Sequence, residues 1–106
     1  MTKVNMIIYS ITTIVKKEVE QEWCEWMKDK HIPDILHTGF FNNHRMFKVR
    51  IPTSLEGEST YIVQYECEFI DNYISYAEKD ASRLQADSAS KFIGKITTAR
   101  TVMELL

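Results

Sequence analysis

The sequence predicts an α+β domain in which strands and helices follow one another as β-α-β-β-α-β. Three observations carry that reading. Two stretches repeat their apolar residues at three- and four-residue spacings, four β-branched or aromatic stretches alternate around them, and a polar loop containing Pro52 and Gly57 separates the second strand from the third.

Asn5 to Val15 is rich in Ile, Val, Thr and Tyr and reads as the first strand. From Lys17 the period changes. Val19, Trp23, Trp26, Met27 and Lys30 recur at helical spacing, and Glu18 and Glu20 place negative charge in the first turn, where the helix dipole favours it. Pro33 is expected to end the regular helix near His31, because a proline disfavours helical dihedrals in the residue before it. Asp34 to Gly39 then reads as a turn or distorted last turn, with Gly39 able to take a positive φ.

Phe40 to Ile51 is the second strand, with Arg45, Phe47, Val49 and Ile51 on one face and His44, Met46, Lys48 and Arg50 on the other. After the loop from Pro52 to Ser59, the third strand runs from Thr60 to Phe69. Tyr61, Val63, Tyr65, Cys67 and Phe69 share one of its faces, and Ile62, Gln64, Glu66 and Glu68 share the other. Asp71 is placed to cap a second helix, whose stripe is Ile74, Ala77, Ala81, Leu84 and Ser88 and which ends near Gly94. Tyr76, Asp80, Arg83 and Asp87 would form its solvated ladder. Lys95 to Leu105 closes the chain as a fourth strand, Thr98, Arg100 and Val102 opposite Ala99, Thr101 and Met103.

This order is that of the ferredoxin-like motif, a four-stranded antiparallel sheet with two helices on one face. At 106 residues the chain is expected to be a single domain, residues 1–106, with no room for a second core. Two helices leave the other sheet face bare. That face is expected to carry Ile8, Ser10, Thr12, Met46, Lys48, Ile62, Gln64, Thr98, Arg100 and Val102, a mix too apolar for solvent and too polar for a core. A homodimer joined through this open sheet face is the expected remedy.

A formal net charge of -2 offers no field for nucleic acid or an anionic membrane, so neither is expected as a partner. The third strand also lacks the basic, glycine-bearing aromatic octamer of an RNA-recognition domain. The apolar run Met6–Val15 is too short to span a bilayer. Cys24 and Cys67 lie apart without metal-ligand spacing and read as buried thiols, which with the lack of a signal pattern predicts a cytoplasmic protein. Phosphate loop, dinucleotide fingerprint and serine elbow are all missing, and no cofactor is expected.

Trp23-x-x-Trp26-Met27 followed by His31-Ile32-Pro33-Asp34 and Thr38-Gly39 carries a resemblance. With Met6-Ile7-Ile8-Tyr9, Arg45-Met46-Phe47, Val63-Gln64-Tyr65, Asp80-Ala81-x-Arg83-Leu84 and Ala99-Arg100-Thr101, the chain resembles a small uncharacterised bacterial family of the dimeric α/β-barrel superfamily over nearly its whole length. Ser10 and Ser82 depart from that family's preference for Asn and Pro. The resemblance implies two domains joined sheet to sheet as a barrel, helices outside, with ligands held between helices and sheet. Enzymes of the superfamily include cofactor-independent monooxygenases, haem-degrading enzymes and lactone isomerases, but none of their catalytic sets can be matched here position by position.

His31 is the first candidate for chemistry: a histidine there could act as general acid or base with Asp34 orienting it, or could simply bond the last carbonyls of a helix end. His31, Asp34 and His37 would need an unbroken helix to share a metal, and Pro33 is expected to break it, so no metal site is predicted. Tyr9, Trp23, Trp26, Tyr61, Tyr65 and Tyr76 are either core or the wall of an aromatic pocket. Arg45, on a face with Phe47 and Val49, needs Asp34, Asp80 or a ligand anion as partner. Taken together, Tyr9, Trp23, Trp26, His31, Arg45 and Tyr65 are the ligand-pocket candidates, with His31 and Asp34 the catalytic ones. With no acid–base or nucleophile pair evident, the sequence favours a binding or interaction module for a small apolar or aromatic ligand. The alternative is a cofactor-independent enzyme of monooxygenase or isomerase type using a cleft between helices and sheet.

Overall fold

The computed structural model describes residues 6–106, so Asn5, expected at the start of the first strand, lies outside the described residues. Strand β1 is Ile7–Lys16. A short 3-10 turn, Lys17–Val19, leads into helix α1, residues 20–37. Strands β2 (Asn43–Lys48) and β3 (Glu58–Cys67) follow, then helix α2, residues 70–91, and strand β4 (Ile96–Glu104). The strands pair antiparallel in the order β2-β3-β1-β4. The ferredoxin-like order expected from the sequence is the fold of the protein.

Both helices carry a π turn. In α1, the α-helical stretches Glu20–Trp26 and Ile32–His37 are joined by a π turn at Met27–His31. Pro33 therefore does not end the helix, contrary to expectation. The N–H of Ile32 reaches back to the carbonyl of Met27, so the ladder slips by one residue just ahead of the proline that has no N–H to give. The helix ends instead at His37. The N–H of Gly39, at φ +83°, bonds the Leu36 carbonyl, and the Thr38 hydroxyl donates to the Ile35 carbonyl at 2.6 Å.

Helix α2 has its π turn at Ala77–Ala81, with no proline to force it. The extra residue changes which side chains face inward. Tyr76, expected on the solvated ladder, is only 1% exposed, whereas Ile74, expected in the apolar stripe, is 45% exposed. Ala81 and Leu84 are buried as expected, and Arg83 pairs with Asp80 on the surface at 2.9 Å. Asp71 lies inside the first turn rather than at the cap, which is Phe69.

Strand register settles the two sheet faces. Tyr9 stands opposite Tyr65 and Val102, and Ile11 opposite Val63 and Arg100, so these side chains share the helix-covered face. Met46 and Lys48, opposite Val63 and Tyr61, share it too. The expected membership of the bare face is corrected accordingly. Ile8, Ser10, Thr12, Ile62 and Gln64 stay there, but Met46, Lys48, Thr98, Arg100 and Val102 move to the helix side, replaced by Arg45, Phe47, Thr97, Ala99, Thr101 and Met103. The cause is physical: β2 and β4 are edge strands whose residues are mostly exposed on both faces, so alternation alone gives them no phase.

Between helices and sheet, Trp23, Tyr9, Tyr65, Tyr76, Ile35, Leu84 and Val15 form the fully buried centre of the core. Tyr9 anchors an aromatic cluster, its ring 6.0 Å from Phe41, 5.1 Å from Tyr73 and 5.8 Å from Tyr76. Among the described residues no helix is long and apolar enough to cross a membrane.

Candidate functional site

The core is not closed uniformly. On the β4 side, between helices and sheet, lies a cleft whose apolar lining is Ile11 of β1 and Trp23, Met27 and Ile35 of α1. Its polar wall is supplied by Tyr9 and Thr13 of β1, His31 of α1, Tyr76, Gln85 and Ser88 of α2, and Thr98 and Arg100 of β4. The cleft's volume is about 30 Å³, room for a few atoms rather than a whole ligand.

The π turns help to build this wall. His31 lies five residues after Trp26, a spacing that in an unbroken α-helix would set the two side chains about 140° apart. Across the π turn the rings instead stack, with centroids 4.7 Å apart and planes 22° from parallel. Tyr76 and Gln85 would sit on opposite sides of a regular helix, and the π turn at Ala77–Ala81 brings both to the cleft.

Burial is the main reason that the His31 imidazole is pushed down to a pKa of about 4; Arg100 and Lys30 push the same way, and Asp34 and Asp87 pull against them. His31 is therefore neutral at physiological pH. It is not a helix-end cap, since α1 runs on for six more residues to His37. Asp34, expected to orient it, is held by Lys30 at 2.7 Å. Among the described residues, three buried side-chain polar atoms have no hydrogen-bond partner: Trp23 Nε1, His31 Nδ1 and the Tyr65 hydroxyl. Two of the three belong to residues that line the cleft. Burial also raises the Tyr9 hydroxyl, an effect that the neighbouring Arg100 guanidinium partly offsets.

Of the residues singled out in the sequence, Tyr9, Trp23, His31 and Tyr76 line the cleft, and Trp26 stacks on His31. Tyr65 is fully buried under Tyr9 and Phe41. Arg45 stands on the opposite sheet face, 3.7 Å from Glu66, which takes the place of the partners considered for it. His37 lies in a separate groove with His44, and among the described residues no group of three or more His, Cys, Asp or Glu is gathered as for a metal. Arg100 and Gln85 were not foreseen as cleft residues. Arg100 is the one charged side chain in the run Ile96–Met103, and that isolation is the signal that could have marked it.

The other side of the core is closed by paired groups. The Tyr61 hydroxyl donates to Glu20 Oε2 at 2.6 Å, and Lys48 lies 3.0 Å from the same oxygen. These bonds, the Tyr61 one foremost and with Ser59 assisting, hold the Glu20 carboxyl down at about 2 despite its partial burial. Trp23 separates the two regions, its ring 5.1 Å from Tyr61 on one side and its edge part of the cleft on the other.

The fold and this site define a ferredoxin-like domain with a cleft between helices and sheet. Comparison with family models makes the assignment more particular: residues 6–106 match the domain of unknown function DUF4286, and the chain belongs to that family. A comparison with curated proteins finds no match. Among solved structures, the chain is similar to an ethyl tert-butyl ether D (EthD) family protein of Bacillus halodurans, with 14% identity, TM-score 0.67, and 94% of this chain and 99% of that one covered. It is similar to SnoaB, a cofactor-independent oxygenase of Streptomyces nogalater, at 8% identity and TM-score 0.65, with 92% and 90% covered. A dimeric ferredoxin-like protein from an uncultured marine organism matches at 11% identity and TM-score 0.58, covering 95% and 96%. At these identities the likeness is one of fold.

Proposed function

We propose that the protein is a cytoplasmic homodimeric binding module whose cleft on the β4 side takes a small ligand. The observation that carries this is the pair of buried polar atoms without partners, Trp23 Nε1 and His31 Nδ1, on two residues that line one cleft. A buried unpaired donor or acceptor costs about 1–3 kcal/mol. A fold that keeps two of them on residues of one cleft, while Glu20 and Tyr61 bond each other on the other side of Trp23, is spending stability where a ligand can recover it.

Dimerisation through the open sheet face is supported by its exposed apolar side chains, Phe47 at 45%, Met103 at 40% and Ile14 at 37% exposure, and by the similarity to a dimeric ferredoxin-like protein. The two cysteines, both free, suit a reducing compartment. A second reading, cofactor-independent catalysis in the same cleft, is favoured by one feature: a neutral His31 can accept a proton from a bound substrate. It lacks an orienting carboxylate, because Asp34 is engaged by Lys30.

A fragment screen read by proton–nitrogen NMR tests the binding reading. Hits are expected to shift the Trp23 indole N–H and the His31 ring together; a library that moves neither would refute it. Light scattering at micromolar concentration is expected to give twice the 12.5 kDa chain mass, and a clean monomer would remove the dimer.

A further inference from the structure

The cleft does not stop at His31. Gln85, Ser88, Thr98 and Arg100 line it and also line an outer groove of about 330 Å³, whose remaining wall includes Phe92, Ile93 and Ile96. The two spaces therefore meet at a ring of four polar side chains. The inner one is large enough only for a head group, while the outer one reaches the small end of the range for ligand pockets and is walled by apolar side chains.

The junction holds one fixed positive donor among groups that can donate. Arginine can only donate hydrogen bonds, and the amide of Gln85 and the hydroxyls of Ser88 and Thr98 can donate or accept, so all four can serve an acceptor. Arg45 and Arg83 are each paired with a carboxylate, Glu66 and Asp80. Among the described residues Arg100 has no carboxylate within ion-pair distance. Its charge acts instead on the neighbouring Tyr9, Tyr76 and His31. The acids that bear on His31 are Asp34, already tied to Lys30, and Asp87, which is exposed.

We infer that the double chamber takes a small carboxylate with an apolar body, its head group held by Arg100 and the donors beside it and its body lying along Phe92, Ile93 and Ile96. A carboxylate only accepts hydrogen bonds and matches the guanidinium fork, which a neutral amide of the same shape does not. This rests on the cleft being a ligand site, as proposed above.

The test titrates the full-length protein with hexanoate, hexanamide and acetate, following the Trp23 indole, Gln85 amide and Arg100 guanidinium signals. Hexanoate is expected to bind about tenfold or more tightly than hexanamide, and also more tightly than acetate, which has the head without the body. Arg100→Gln should remove most of the acid–amide difference, whereas Arg50→Gln, on an exposed loop, should leave it intact. Arg100→Lys keeps the charge without the fork and should fall between; it also serves if Arg100→Gln does not fold. Equal binding of hexanoate and hexanamide, or preference untouched by Arg100→Gln, would overturn the inference and leave the cleft a ligand site. If neither binds while screened fragments do, the inference again falls alone. If no fragment moves the cleft signals, the binding reading and the inference fall together.

Discussion

On the β2–β3 side of the core, Glu20 receives the Tyr61 hydroxyl and Lys48; on the β4 side, His31 and Trp23 each keep a buried nitrogen without a partner. The two regions share a helix, a sheet and a tryptophan, and they use the same kinds of side chain. One is closed by a charge-assisted network. The other is lined by donors, opens to an outer groove, and holds its histidine neutral. The contrast separates polar groups that the fold uses to hold itself together from polar groups left for something else.

The largest expected effect lies at the wall between the two. Trp23→Ala should cost about 3–5 kcal/mol in denaturant unfolding, because Trp23 is 1% exposed and packs on Tyr61. Trp26→Ala should cost clearly less, since Trp26 is only partly buried. If the two losses were equal, or Trp23→Ala cost under about 1 kcal/mol, Trp23 would not be the wall between the two regions.

The next effect is on the open side. His31 has a folded pKa of about 4 against an ordinary 6.5, so the unfolded chain takes up the proton first. The stability it contributes is complete above pH 6.5 and is lost as pH falls toward 4, by up to about 3 kcal/mol. His31→Asn should lose that part of the slope, and the difference between the two stability–pH curves isolates it from other acids. Parallel curves would mean that His31 is not held neutral by burial.

The smallest effect sharpens the closed side. Tyr61→Phe should cost about 1–2 kcal/mol, as Lys48 still meets Glu20. Glu20, held at about 2 against an ordinary 4.5, contributes stability that is present above pH 4.5 and lost as pH falls toward 2. Tyr61→Phe should shrink that contribution, so acid unfolding should begin at a higher pH. No change in the acid limb would show that the network does not carry it.

The fold was legible in the sequence because its long elements state their own period: Tyr61 to Cys67 alternate cleanly, and Trp23 and Met27 repeat at helical spacing. The edge strands were not legible in phase, because Arg45 and Arg100 stand among residues exposed on both faces and only pairing with β3 and β1 decides their side. The site was half legible. Tyr9, Trp23 and His31 could be picked as aromatic or titratable residues of apolar stretches. Tyr76 was named both for an aromatic pocket and for the solvated ladder, and only the π turn decides between them; Gln85 and the place of Arg100 depend on that turn and on register, and neither leaves a mark in a periodic reading. Pro33 misled for the same reason, since the turn that accommodates it is a departure from the regular ladder.

The most direct test of the contrast is a crystal structure of the protein at a resolution that shows ordered water. The account predicts water or a bound molecule within hydrogen-bond distance of Trp23 Nε1 and His31 Nδ1, continuing outward past Arg100, with Glu20 and Tyr61 bonded directly to each other. A closed, dry β4 side, with both nitrogens bonded to groups of the protein itself, would contradict it.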